Sequence, residues 1–313
     1  MRRSDFRSAI SHVKARSARI AYGSKAVLIK LKYHTSEAVK YYSNLTGIPL
    51  PRESVYLTDF SGQRSSYDPH LLLIRIDKSL LQKSKETVRQ TVGHEIAHKI
   101  RHFLNRYDLN SYEEYHDVMI IEEACAEFSG TAFATSEKKS GDERLTQMAR
   151  LLDSDRPLAG LKRGLNKESF NTNVFDWANI MIAAFEKSVK DESEHLRERF
   201  ELTSPEEIKI SQKDRISFLI EETYRESERQ LYKKAGSPDM DIWKACTASS
   251  YMSAWGICLI LAVAGDIEKT TGFLLTAKQD DIEDRIFGIL SDNSKGIKAS
   301  LKILEHGIRG SEQ

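Results

Sequence analysis

Cysteine is scarce in this chain: three residues in 313, Cys125, Cys246 and Cys258, with no CxxC spacing. That argues against a disulfide scaffold or a cysteine-built metal site, and it points to a reducing compartment. An excess of charge of one sign is also missing, since 47 Lys and Arg stand against 46 Asp and Glu. The formal net charge of +1 does not suit a protein whose main task is to coat nucleic acid or an anionic membrane. The N-terminal stretch lacks the unbroken apolar run of a secretory signal, so the expected location is cytoplasmic. One uncharged segment, Ala248 to Gly265, sits near the lower length limit for a membrane span. Its Ser and Gly interruptions make it a buried core helix instead, so no membrane span is expected.

Hydrophobic residues at 40% and charged ones at 30% describe an ordered globular chain, long enough for about two domains at roughly 100–200 residues each. Between Met1 and Lys40 ten Lys or Arg face two Asp or Glu. This reads as a solvated helix face, with contact to a polyanion or an organelle-targeting helix as alternatives. Nucleic acid is not an expected partner.

The first part mixes strand and helix patterns. Ala26 to Tyr33 alternates apolar residues with Lys as a half-buried strand does, and Ser36 to Thr46 carries a helical stripe closed by Gly47, Pro49 and Pro51. Ser54 to Thr58 and His70 to Asp77 read as strands, with a polar loop between them through Asp68-Pro69. Ser84 suits an N-cap, and Glu86 the first turn, of a helix running to about Asn105. After a loop at Tyr107 to Ser111, a second helix spans roughly Glu113 to Ala134. Gly141, Pro157, Gly160 and Gly164 punctuate a polar region, and Phe175 to Val189 and Ser204 to Lys234 carry helical periodicity. Ala235 to Pro238 is a break that opens a C-terminal helical unit. The expected division is therefore 1–140, 141–235 and 236–313.

Residues 94 to 98 read His-Glu-Ile-Ala-His. Four residues apart on a helix, His94 and His98 present their imidazoles to one point, where a divalent metal can bind both. Glu95, rotated about 100° from His94, can reach a metal-bound water without being a ligand. Val88, Val92, Ile96 and Ile100 form an apolar stripe on the opposite side, so the same pattern also fits a helix that simply wets its histidine face. In the next helix Ile121, Ala124, Cys125, Phe128 and Ala132 make the apolar stripe, and Glu123 and Glu127 point away from it. If the two helices pack antiparallel, Glu123 can complete a His₂Glu site with one position left for water, and Glu127 can accept a hydrogen bond from a ligand imidazole. Glu122 competes for the ligand role, but Glu123 shares the face of Glu127.

HEIAH followed by Glu-Glu-Ala-Cys-Ala-Glu-Phe at 122–128 resembles the gluzincin metallopeptidases. The lead-in from Leu71 to His102 is similar to minimal gluzincins and to ImmA/IrrE-type peptidases. The likeness covers roughly Ser54 to Lys138. It implies an α+β fold: a zincin-like catalytic core with a small mixed β-sheet and active-site helices, followed by a large, mostly helical region. It further implies a zinc-dependent peptidase with Zn²⁺ on His94, His98 and Glu123, Glu95 as general base, and Glu127 in support. In such peptidases the strand matching His70 to Asp77 lies at the sheet edge and pairs with a peptide or protein substrate bound as an extended strand. Tyr251 resembles the tyrosine that steadies the oxyanion in some gluzincins. Arg101 and Leu104 stand where a metzincin needs Gly and His, which excludes that branch, and His102 reads as a surface histidine. The charges of Lys99, Arg101 and Arg106 around the motif exclude a membrane-embedded protease. A zinc-fold regulatory or binding protein with narrow or lost proteolysis remains the alternative.

Overall fold

The structure, a computed structural model, describes residues 25–50, 55–58, 65–68, 73–105, 112–138, 140–154, 173–183, 185–187 and 242–310. Seven helices with printed bounds are α1 (Lys25–Thr46), α2 (Lys85–Asn105), α3 (Tyr112–Ala134), α4 (Gly141–Ser154), α6 (Ile242–Ala264), α7 (Ile267–Thr276) and α8 (Gln279–Gly310), and α5 covers residues 174–183. Three short strands, β1 (Val55–Thr58), β2 (Ser65–Asp68) and β3 (Leu73–Asp77), pair in the order β1-β3-β2. β1 runs parallel to β3 and β2 antiparallel to it.

Two expectations are corrected. The chain is mostly helical and does not have the expected α+β fold, for its strands are only four or five residues long against helices of 10–32. The strand expected at Ala26 to Tyr33 is the first two turns of α1. The physical reason lies in which side chains are buried. Leu31, His34, Thr35, Ala38, Val39 and Tyr42 are buried, at spacings of three and four, whereas Ile29 is 67% exposed. The apolar–Lys alternation was a local coincidence laid over a longer helical stripe. Gly47, at φ 69°, ends α1 in the left-handed conformation, and its N–H donates to the Ser43 carbonyl at 3.0 Å.

Two compact units emerge, each assembled from separated stretches of chain. One comprises residues 1–107, 125–139 and 267–276, and the other 108–124, 140–266 and 277–313. The core of the first gathers Leu31, Val39 and Tyr42 of α1, Ile74 and Ile76 of β3, Val88, Val92, Ile96 and Ile100 of α2, Phe133 of α3 and Leu275 of α7. Alternation along β3 is clear, with Ile74 and Ile76 buried and Arg75 half-buried. Ser84 caps α2, its Oγ accepting from the Thr87 N–H at 3.2 Å. Arg101, fully buried, donates to the Leu274 carbonyl and so ties α2 to the last turn of α7.

In the second unit α6 is a core helix, as its composition requires: Ala254, Trp255 and every residue from Ile257 to Ala262 are buried. Among the described residues no helix is long and apolar enough to cross a membrane. Gly256 meets α5 closely, since a Cβ there would lie 3.3 Å from the Ala178 nitrogen. α4 falls where a polar, punctuated region was expected. Its signal was a capping pattern, Ser140 with Glu143 three residues on, and the Ser140 Oγ accepts from the Glu143 N–H at 3.1 Å. The helix expected at Ser204 to Lys234, the break at Ala235 to Pro238, and most of the basic N-terminal arm lie outside the described residues.

Within the first unit, α2 and α3 cross through two glycines. A Cβ on Gly93 would lie 3.1 Å from the Gly130 Cα, and one on Gly130 would lie 2.6 Å from the Gln90 carbonyl oxygen and 2.9 Å from the His94 nitrogen. Those neighbours are backbone and cannot step aside. Gly130→Ala is therefore expected to destabilise the protein by about 1–3 kcal/mol in chemical denaturation. Gly288→Ala in α8, where nothing lies within 4 Å of the added methyl, is expected to be neutral or stabilising by up to about 1 kcal/mol. Equal effects of the two changes would contradict a close crossing.

Candidate metal centre

α2 carries His94 and His98 one turn apart, and α3 carries Glu123 and Glu127 one turn apart. The structure brings His94, His98 and Glu123 together, with one ligand atom from each lying within 4.8 Å of the others. Glu122, the rival ligand, is not in that group. The two Nε2 atoms are 3.1 Å apart and the rings meet edge-on, with centroids 4.7 Å apart. Two nitrogens held at 2.0–2.1 Å on a tetrahedral metal lie about 3.4 Å apart, so little movement separates this arrangement from a coordinating one.

Glu127 stands behind the first imidazole. Its Oε2 is 2.9 Å from His94 Nδ1, and its Oε1 accepts from Gln90 Nε2 at 2.5 Å. This contact suits an imidazole that carries its proton on Nδ1 and donates it to the carboxylate, and in that tautomer the lone pair of Nε2 faces His98. That is the tautomer a metal ligand needs, fixed by the group behind it. His94 keeps 15% of its side-chain area exposed whereas Glu127 keeps 3%. His94 can therefore meet water while Glu127 cannot.

Burial decides against a helix that merely wets its histidine face. Every residue of α3 from Ile120 to Ala134 is buried, including Glu122, Glu123 and Glu127, and Glu95 of α2 is only 4% exposed. Removing a carboxylate from water costs several kcal/mol unless opposite charge or hydrogen bonds offset it. One carboxylate, that of Glu123, beside the two imidazoles of His94 and His98 is a donor set that suits a divalent cation.

The surroundings hold α3 in place. Arg89, preceding Gln90, donates to the Phe133 carbonyl and to Ser136 Oγ at 3.0 Å, and to Glu37 at 2.9 Å, with its guanidinium 4.1 Å above the Phe133 ring. This buried cation caps the C-terminal turn of the helix that bears Glu127. Tyr42 packs against the glycine crossing, and its phenol is pushed well above its usual range by burial first, then by Tyr41 and the charge of Glu127. In the second unit, Cys258 donates to the Ala124 carbonyl at 3.1 Å, which fixes the turn of α3 next to Glu123.

Other expectations fare differently. Glu95 lies on the same turn as His94 and is buried. His102 is half-buried, not a plain surface histidine, and its ring meets Tyr67 of β2 edge-on at 5.8 Å. Tyr251 lies on α6, and its side chain is outside the described residues. The strand reaching Asp77 is not a sheet edge: β3 is the middle strand, bonded to β1 on one side and β2 on the other. Its ladder is full, so an added peptide strand cannot pair with it. Gln90 and Arg89 were missed by the sequence reading. Gln90 could have been found, since it lies four residues before His94 on the same helical face.

A ligand that binds only the folded state stabilises it by about 2.7 kcal/mol at one hundred times its dissociation constant. Zn²⁺ is expected to raise the unfolding temperature of the wild-type chain, and a chelator to reverse the rise. His98→Ala is expected to lose the response; a response kept in that variant would contradict the ligand set. Comparison with known proteins gives no match to a family model, to a curated protein or to a solved structure.

Proposed function

We propose that this chain is a zinc-dependent peptidase, with Zn²⁺ held by His94, His98 and Glu123. The observation that carries the reading is the convergence of those three side chains, with Glu127 fixing the ligand tautomer of His94. Three protein ligands leave a fourth position open, which distinguishes a catalytic zinc site from a closed structural one. When bound there, the metal supplies a Lewis acid that polarises a carbonyl and acidifies water toward a pKa of about 7.

The protein's own residues do the rest. Glu95, beside a ligand but pointing about 100° away from it on the helix, takes the proton of the attacking water and passes it to the departing amine. Its burial keeps bulk water from competing for that proton. Tyr251 is the proposed oxyanion donor. The substrate is a peptide or protein segment in extended form. Because β3 is internal, the pairing edge is assigned to β2, the antiparallel outer strand whose Tyr67 touches the histidine helix at His102.

Glu95→Gln is expected to bind zinc as the wild type does and to lose at least about 10²-fold in turnover of casein or short peptides. Hydrolysis by Glu95→Gln at the wild-type rate would remove Glu95 from the mechanism. A wild-type protein that binds zinc yet cleaves none of these substrates would favour the regulatory or binding alternative.

A further inference from the structure

Nothing in the HExxH pattern assigns a role to Gln90, yet it is among the most enclosed polar side chains near the histidines, at 2% exposure. It sits one turn before His94 on α2, so the two side chains lie one above the other on a single face. Both reach the same carboxylate on the facing helix: Gln90 Nε2 donates to Glu127 Oε1 at 2.5 Å, and His94 Nδ1 meets Oε2 at 2.9 Å. The two oxygens of Glu127 are thus claimed by two residues of one helix turn.

We infer that Gln90 is a positioning residue of the metal centre, acting through Glu127 to hold His94 in its metal-binding tautomer and orientation. This rests on the metal reading above. A carboxylate held at one oxygen only can rotate about its last torsion, which is broad and roughly two-fold. Held at both, it cannot turn without breaking a charge-assisted hydrogen bond in a dry environment. Gln90 therefore converts Glu127 from a group that can accept from His94 into one that must. The glycine crossing makes this possible, because the contact of Gly130 with the Gln90 carbonyl brings α3 near enough for a side chain as short as glutamine to span the gap. The Thr131 hydroxyl donates to the Glu127 carbonyl and steadies the same turn.

The test measures Co²⁺ affinity by competition with a chelator, and the cobalt visible spectrum, for the wild type, Gln90→Met, Glu127→Gln and the double variant. Methionine keeps the shape and removes the donor. Gln90→Met is expected to weaken Co²⁺ binding by about 10–100-fold and to alter the spectrum, as loss of an outer-sphere partner does. The double variant is expected to be no weaker than Glu127→Gln alone, because the effect of Gln90 on the metal centre runs through that carboxylate. Wild-type affinity in Gln90→Met, or losses that simply multiply in the double variant, would overturn the inference while leaving the metal site standing. A wild-type chain that binds no Co²⁺ or Zn²⁺ would overturn both. Should Gln90→Met fail to fold, Gln90→Asn keeps the amide and shortens its reach; weakened binding supports the inference and unchanged binding overturns it.

Discussion

The contact between Gly93 and Gly130 is the constraint on which the candidate site depends. Two helices that carry polar groups toward each other need short spans for those groups to meet; a side chain at Gly130 would strike the backbone of α2, and one at Gly93 would press on Tyr42, Phe133 and the Gly130 Cα. With glycine at both, the backbone of α3 rests on the turn of α2 between Gln90 and His94. The consequence runs directly into chemistry. Glu127, three residues before Gly130, falls opposite Gln90 and His94, and Glu123, one turn earlier, reaches the two imidazoles.

Buried charge is the second organising feature. Arg89 and Gln90 are neighbours on α2 that hold two different parts of α3, the Phe133 carbonyl in its last turn and the Glu127 carboxylate in its middle. Removing one partner of such a set leaves an unsatisfied buried group, which costs more than the net worth of the bond itself. The network fixes α3 along its axis and about it at once. Apolar packing of Val88, Val92, Ile96 and Phe133 supplies the bulk of the burial but is less exacting about rotation. A metal site tolerates little error in ligand placement, so the polar set is what makes the geometry specific.

The local pattern around the histidines was legible because it obeys one helical period over two long segments. The bounds of α2 and the burial of its Val88–Ile100 stripe follow from the sequence, as does the capping role of Ser84. What misled was short-range pattern judged without its neighbours. The alternation at Ala26 to Tyr33 looked like a strand because eight residues cannot distinguish period two from a stripe that continues through Tyr42. The place of β3 in the sheet was not legible either, since strand order depends on partners distant in sequence; Ser65 to Asp68, polar enough to pass for loop, turns out to flank it. Nor could the sequence tell that the carboxylate face of α3 is buried, because Glu122, Glu123 and Glu127 look the same on a wet face as in an interior.

The proposed peptidase stands on one zinc ion bound by His94, His98 and Glu123. Anomalous diffraction from crystals of the zinc-loaded protein, collected on either side of the zinc absorption edge, addresses it most directly. A single strong peak is expected about 2.0–2.2 Å from both histidine Nε2 atoms and from a Glu123 carboxylate oxygen. A protein that takes up no zinc, or a peak that lies elsewhere with these three side chains unengaged, would contradict it.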